Sequence, residues 1–419
     1  MIVEGIGWRK DDRAYVSMGK FFARILALNF AVGVATGIVM EFQFGTNWAE
    51  YSKFVGDIFG APLAAEGVFA FFLESTFLGL YLFGRNRVSK GVHWFSILMV
   101  ALGSTISAFW ILVASSWMQT PAGFHIQNGR AELTNFWEAV FNPSTLPRFF
   151  HTVDAALIAG AFIMAGVSAY LILRNRETEI AKRSLTLAIT FGLIVSLLEV
   201  FPFGHIHGQQ LARTQPEKFA AVQGLYATEK GAPLVFFAYP TIPPPTLRAP
   251  VEIPGLLSWL AFGDLQAPVK GINEFPPDQI PPLWPTFVSY HNMVLLGLYF
   301  IGIMLFGFLQ LRRKKLWESN KLLKFFIWSM PLPVIACQLG WITAEVGRQP
   351  WIVYHVMKTS DAISKTVSAG EILFSIILFS LIYLLLGSLY IFLFIQEMKH
   401  GPEAAGNSSI SQSAKEVVR

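Results

Sequence analysis

Two glutamates lie inside a long apolar stretch of this 419-residue chain, where the presence of an ionisable side chain needs an explanation. A charged group near the centre of a bilayer costs about 2.5–3.5 kcal/mol on insertion scales. Glu66 and Glu74 stand eight residues apart, which on a helix separates them by about 12 Å along the axis. Such a pair could pass a proton along through water. Alternatively, each is a neutral acid that is hydrogen-bonded to a neighbouring helix.

His151 stands at the mouth of another apolar stretch, in Arg-Phe-Phe-His-Thr-Val-Asp. A neutral imidazole can ligate haem iron there, and a thioether from a second helix can fill the opposite axial position. Met293, near the start of the sixth apolar stretch, suits that position. Packing is the alternative, since the chain has 11 methionines and most methionines pack. Asp154, one turn from His151, could orient a neighbour or carry a proton.

Glu345 and Arg348 form a third candidate pair. Their spacing of three residues can place both on one face of a helix, and Pro350 then ends that helix. Taken alone, the pair is typical of a structural salt bridge at a helix end.

The composition indicates the kind of fold that must hold these residues in place. The chain is 53% hydrophobic and 14% charged, whereas soluble domains carry about a quarter charged residues. A membrane-spanning helix needs about 20 apolar residues. The sequence therefore predicts an all-α, polytopic transmembrane helix bundle of about eight spans. The predicted spans are 21–42, 64–84, 92–116, 150–173, 184–203, 286–311, 323–345 and 370–396.

The polar segments between spans alternate in charge. Most of the 32 lysines and arginines fall into one alternate set, which begins at the N-terminus and includes the run from Arg312 to Lys324. Because positive segments stay in the cytoplasm, we expect both termini to be cytoplasmic. The net charge of +5 follows from these segments and favours anionic lipid headgroups over nucleic acid.

The spans divide the chain into five regions. They are a cytoplasmic N-terminal segment (1–20), a first five-helix part (21–204), a long extracytoplasmic loop (205–285), three final helices (286–396) and a cytoplasmic tail (397–419). The loop holds most prolines, including Pro243–Pro245, and predicts an ordered surface segment without long helices. The single cysteine, Cys337, excludes an intrachain disulfide.

Several motifs resemble subunit I of cytochrome bd-type quinol oxidases. They are Glu-Phe-Gln-Phe-Gly-Thr-Asn-Trp at 41–48, Phe-Leu-Glu-Ser-Thr-Phe-Leu-Gly at 72–79, Trp-Ile-Leu-Val-Ala-Ser-Ser-Trp-Met-Gln-Thr-Pro at 110–121, Gln-Pro-Glu-Lys-Phe-Ala-Ala at 215–221 and Gly-Arg-Gln-Pro-Trp at 347–351. The resemblance runs from about residue 29 to residue 395, with the motifs in the family's order. It implies a haem-containing respiratory enzyme of the bacterial or archaeal cytoplasmic membrane.

The resemblance also implies roles for the candidate metal ligands. In that family a low-spin haem b is held by a histidine and a methionine, which match His151 and Met293. Glu345 matches a glutamate that binds iron in an oxygen site with two haems, a second haem b and a haem d. Arg348 and Trp341 match residues close to that site.

Further matches concern protons and quinol. Glu66 and Glu74 match carboxylates of proton delivery, and Ser75 and Ser107 match polar residues along the same routes. Lys218 matches a lysine of the quinol-binding loop. The implied reaction oxidises quinol at the outer face and reduces oxygen to water with cytoplasmic protons, which separates charge across the membrane. The implied partners are a second polytopic subunit, small accessory subunits and membrane lipids.

The sequence departs from the family pattern at its start and in the loop. The family has nine spans, and its first carries a histidine that ligates a haem of the oxygen site. Here only residues 1–20 precede the family's second span, and His93 lies at the wrong end of its helix to replace that histidine. Gln223 stands where a quinol-loop glutamate is usual, Ser115 where asparagine is common and His291 where arginine is common. His205 or His207 could serve in place of that glutamate.

Three interpretations follow from these departures. The chain is an N-terminally truncated oxidase subunit, or its oxygen site is altered and lacks a haem. A subunit with an altered site would be a quinol-linked haem b electron carrier. A transporter with buried glutamates is a third interpretation, which broken helices or internal symmetry would favour.

Overall fold

The computed structural model describes residues 1–241 and 246–402, apart from the side chains of Met40 and Glu41. The predicted proline run Pro243–Pro245 and most of the predicted tail lie outside the described residues. The helices are α1 Ile2–Lys10, α2 Arg13–Thr46, α3 Ala49–Ala65, α4 Phe72–Phe83, α5 Lys90–Gln119, α6 Phe136–Val140, α7 Thr145–Leu173, α8 Thr178–Leu198, α9 His205–Thr214, α10 Pro216–Gln223, α11 Leu256–Phe262, α12 Leu283–Arg312, α13 Asn320–Ser329, α14 Leu332–Val346 and α15 Ala369–His400.

Within the described residues, eight stretches of helix are long and apolar enough to cross a membrane, which confirms the predicted fold class. They are formed by α2, α3 with α4, α5, α7, α8 with α9, α12, α13 with α14, and α15. The helices run beyond the predicted limits, because polar residues at a span end stay helical when they pack against neighbours. The first span, for example, begins at Arg13 rather than at residue 21.

Two spans among the described residues contain a wide π-helical turn. Residues Glu66–Phe71 join α3 to α4, and residues Glu199–Gly204 join α8 to α9. Such turns release part of the i to i−4 ladder and recur at functional sites. Pro202 lies in the second turn, where its missing N–H is tolerated. The boundary predicted at 204 therefore falls inside a continuous helix that ends at Thr214.

The main core lies between α7, α8, α12 and α13. Phe162, Leu185, Ile189, Met304 and Phe326 are all fully buried there. Burying one such side chain contributes about 1.5–3 kcal/mol in water, although in a bilayer the gain comes from close packing. In contrast, α15 buries none of its most apolar window within the chain.

Short strands lie outside the bundle and, in the part of the chain that the structure describes, form four two-stranded antiparallel sheets. Their bounds are β1 Phe124–Gln127 with β2 Arg130–Leu133, β3 Glu229–Lys230 with β6 Pro268–Val269, β4 Leu234–Thr241 with β5 Thr246–Ile253, and β7 Trp351–Val353 with β8 Met357–Lys358. The described part of the segment from α10 to the start of α12 covers one end of the bundle, which we call the loop end. Outside residues 242–245, the predicted loop forms short helices and strands.

Candidate functional site

The His151 side chain contacts a carboxyl group that the sequence had not singled out. Its Nδ1 lies 2.9 Å from Oε1 of Glu199, at the start of the second π-helical turn. The pair has hydrogen-bond distance but poor alignment, and Nδ1 is otherwise buried without a partner. A histidine that ligates a metal commonly gives its other ring nitrogen to a carboxylate. This arrangement leaves Nε2 as the nitrogen for iron.

The neighbours of His151 are further titratable groups. Asp154 interacts with the Glu199 carboxyl group rather than with solvent, and one oxygen of each acid is buried without a hydrogen bond. The His207 ring packs edge-on against His151, with 5.2 Å between the ring centroids. His207 therefore lies in a helix beside the candidate haem ligand, whereas the sequence analysis had placed it in the loop.

Met293 lies on α12, where a glycine of α14 makes room for it. A Cβ at Gly340 would stand 3.1 Å from the Met293 sulfur, so a larger residue would displace the thioether. The turn that begins at Glu199 also packs against α12, because a Cβ at Gly297 of α12 would lie 3.3 Å from Val200 Cγ2. The π-helical turn therefore bridges the helix of His151 and the helix of Met293.

His291, two residues before Met293, fastens the loop end to α12. Its Nδ1 lies 3.0 Å from the Phe287 carbonyl oxygen and its Nε2 3.0 Å from the Val235 carbonyl oxygen of β4. This contact joins the strand pair β4–β5 to the helix that presents Met293.

Three buried basic side chains and a partly exposed carboxylate lie where α5, α7, α10 and α14 meet. We call this group the cation cluster and define it as Arg148, Lys218, Arg348 and Glu345. The Arg348 guanidinium and the Glu345 carboxylate form the ion pair that their spacing predicted. Arg148 donates to Ser115 Oγ at 3.1 Å, and its guanidinium carbon lies 5.7 Å from the centre of the Trp341 ring.

Lys218 enters this cluster from α10. Its Nζ donates to the Ala344 carbonyl oxygen at 2.8 Å and to Gln119 Oε1 at 3.1 Å. Burial lowers the pKa of Lys218 well below its usual value, with a further lowering by the Arg148 cation. The side chain of this predicted quinol-binding residue thus points into the helix bundle.

Other contacts fix α10 and its second predicted quinol-binding residue. Gln223 is buried, and its Nε2 donates to the Tyr290 hydroxyl at 3.3 Å. At the other end of the helix, the Tyr354 hydroxyl donates to the Glu217 carboxylate. Burial raises the pKa of Tyr354, so the phenol stays a donor. A role for α10 in quinol binding remains a prediction.

The two glutamates of the second span each accept a serine hydroxyl from α5. Ser107 Oγ donates to Glu66 at 2.7 Å, and Ser104 Oγ donates to Glu74 at 2.6 Å. The two backbones are close here, because a Cβ at Gly103 would stand 2.9 Å from Cβ of Glu74. We call Glu66 and Glu74 the carboxyl pair. Ser75 instead contacts the Phe72 carbonyl oxygen of its own helix, at 3.4 Å.

Four residues of these sites were missed in the sequence. Glu199 is the one acid of the fifth predicted span, so the cost of burying a charge could have identified it. Arg148 stands two residues outside the predicted fourth span. No spacing rule points to Gln119 or Ser104, because their partners come from other helices.

No group of three or more His, Cys, Asp and Glu side chains in the described part of the chain could hold a bare metal ion. A haem brings four nitrogen ligands of its own and asks the protein for only one or two. The donors at His151, Met293 and Glu345 suit that requirement.

The chain is similar to proteins of known class over nearly its whole length. It is 43% identical over 405 residues to cytochrome bd ubiquinol oxidase subunit 1 of Bacillus subtilis, covering 94% of this chain and 86% of that protein. It is 35% identical over 466 residues to cytochrome bd-II ubiquinol oxidase subunit 1 of Escherichia coli, covering 95% and 90%.

The fold is likewise similar to a solved structure, the bd oxidase from Geobacillus thermodenitrificans. The match has a TM-score of 0.90 at 31% identity and covers 96% of this chain and 92% of that one. The sequence profile of the family described as "Cytochrome bd terminal oxidase subunit I" matches residues 1–402. The resemblance in the motifs is thereby confirmed, and the chain belongs to the cytochrome bd terminal oxidase subunit I family.

Proposed function

We propose that this chain is the haem-binding subunit of a quinol oxidase, which oxidises quinol and reduces oxygen to water. The observation that carries the proposal is the arrangement at His151. A buried carboxylate lies against Nδ1, so Nε2 is free to ligate iron. Similarity to two ubiquinol oxidase subunits supports the same activity.

His151 and Met293 would hold a low-spin haem b, which supplies one-electron transfer when bound. Glu199, 2.9 Å from Nδ1, would orient the imidazole, and Gly340 would leave space for the thioether. Glu345, with Arg348 and Trp341 nearby, would hold iron in an oxygen site that also takes a second haem b and a haem d.

His93 does not supply a further ligand near Glu345. Its Nε2 lies 2.9 Å from the Tyr81 carbonyl oxygen. Gln119, at the loop end of the same helix, is 26 residues further on, which corresponds to about 39 Å of helix. The two sites therefore lie at opposite ends of α5.

Protons for water formation would pass along the carboxyl pair from the cytoplasmic side. Each carboxyl group has a serine hydroxyl as partner, and a hydroxyl can both accept and donate. The long segment at the loop end would bind quinol outside the membrane, with Lys218 and Gln223 of α10 near that site. Both termini would then be cytoplasmic.

The proposed partner is the second polytopic subunit of the oxidase. An apolar helix such as α15, which buries none of its most apolar window within the chain, can pack against another subunit or against lipid. Small accessory subunits would bind at the edges of the same assembly.

Visible spectroscopy of the purified complex tests the haem ligands. We expect a reduced low-spin haem b band that is lost in His151→Ala and Met293→Leu, with haem counted as the pyridine haemochrome. His125→Ala is the matched control, because His125 lies exposed on β1. A chain that binds no haem would contradict the proposal. A chain with one haem b alone would be an electron carrier that does not reduce oxygen.

A further inference from the structure

The charges of the cation cluster do not balance. Arg148, Lys218 and Arg348 expose only 5%, 5% and 4% of their surface. Among the hydrogen bonds and ion pairs of the described residues, Glu345 is the one carboxylate joined to any of them. The two arginines alone therefore outnumber the one anion, and Lys218 adds a third cation whenever its amine is protonated.

The other partners of these cations are neutral. Arg148 donates to two serine hydroxyl groups, and Lys218 to an amide and a backbone oxygen. Nη1 of Arg348 is buried without any hydrogen-bond partner. A buried charge without a counter-charge costs several kcal/mol, so this arrangement is typical of a site for an anionic ligand.

The position of the cluster identifies the ligand. Arg148 precedes His151 by three residues on α7, so the two side chains lie on one face of the helix. Arg348 follows Glu345 by three residues in the same way. Each arginine is thus one turn from a candidate iron ligand, so a molecule whose iron is held there can bring an anion to it.

Other anions fit less well. Quinol and quinone head groups are uncharged, so they do not compensate for excess positive charge. A lipid phosphate needs a path from the membrane surface, whereas Arg148, Lys218 and Arg348 are all buried. Haem carries two carboxylates on flexible arms, and arginine binds carboxylates through two parallel hydrogen bonds.

On the basis of the proposed function, we infer that Arg148, Lys218 and Arg348 bind haem propionates. Arg148 takes a propionate of the haem that His151 holds, and Arg348 takes one of the haem at Glu345. Lys218 packs beside Arg348, because a Cβ at the neighbouring Gly347 would lie 3.0 Å from Lys218 Cε. A residue of α10 thereby touches the haem site directly.

The test labels the propionates alone. Cells are grown on 5-aminolevulinate with ¹³C at the carboxyl carbon, which ends in the haem propionate carboxylates. Redox-induced infrared difference spectra of the purified complex then report those groups. In Arg148→Gln we expect the ¹³C-sensitive carboxylate bands to shift and the low-spin haem potential to fall, because a nearby cation disfavours the oxidised haem. Lys218→Met should shift the bands as well.

Arg213→Gln is the matched control, since Arg213 is exposed at the end of α9 and should give wild-type spectra. If the Arg148→Gln complex loses its haem, the haem content of Arg148→Lys is measured instead. Restored haem content supports the inference, and continued loss overturns it. Labelled bands that match wild type in Arg148→Gln overturn it too, even if the potential moves, because the anion is then another group. Failure of the proposed function is a separate result, a wild-type complex without haem.

Discussion

The cation cluster and the carboxyl pair hold ionisable side chains in the same bundle in different ways. The cation cluster gathers side chains from α7, α10, α14 and the turn after α14, and its charges are in excess. The carboxyl pair lies in one span, and each acid meets one serine of the next span. The first arrangement suits a fixed anionic ligand, whereas the second suits a proton that comes and goes.

The largest expected effect comes from Glu345→Gln, which removes the carboxylate of the cation cluster. The change takes away a proposed iron ligand and leaves three buried cations without a counter-charge. Losing a group that only supports a metal ligand lowers activity by about 10–100-fold. We expect a larger fall in oxidase activity here, because the ligand itself is removed. Oxygen uptake with a quinol substrate and haem content measure the effect. Exposed Glu318→Gln is the control, and near-normal activity in Glu345→Gln would refute the role.

The next effect concerns the carboxyl pair. In Glu66→Gln we expect oxygen reduction to slow by about 100-fold, the low end of what a positioned acid or base contributes. Haem content should stay at the wild-type level, because Glu66 contacts a serine and no cluster residue. Single-turnover oxygen reduction separates the proton step from quinol oxidation. Loss of haem in this variant would assign Glu66 to cofactor binding instead.

A smaller effect is expected for the serine that holds Glu66. Ser107→Ala removes one hydrogen bond, which contributes about 0.5–1.5 kcal/mol and so changes a rate by up to about tenfold. Thr105→Val on the same helix is the control, because the Thr105 hydroxyl bonds only the Ala101 carbonyl oxygen of its own helix. Equal rates in both variants would mean that Ser107 has no part in proton transfer. Ser75→Ala should have less effect than Ser107→Ala.

The smallest effect is expected for a charged side chain that lies outside both regions and serves as a reference. Asp12 caps α2 by accepting from the Ala14 amide at 2.9 Å and pairs with Arg183 at 2.5 Å. Asp12→Ala should cost about 0.5–2 kcal/mol of stability, the usual range for a cap. The hydrogen bond from Arg183 lowers the pKa of Asp12, so the contribution is present above about pH 4 and is lost as pH falls through the lowered pKa. Thermal unfolding at pH 7 and in acid checks both statements.

The features that could be predicted from the sequence each depend on a single helix. Spans follow from apolar length, and the pair of Glu345 and Arg348 follows from a spacing of three residues. Ser107 was found through the resemblance and donates to Glu66, while its place on a proton route stays a prediction. The Lys218 contacts could not be predicted, because they depend on how α10 folds back onto α14.

The two π-helical turns have a consequence for how such spans can change over time. Each turn begins at a partly buried glutamate, Glu66 in one span and Glu199 in the other. A π turn holds one residue more than an α turn, and one residue rotates everything beyond it by about 100°. The direction in which side chains point before each turn is thus set independently of their direction after it. A lineage could gain or lose that residue and re-aim one half of a span while the other half kept its neighbours.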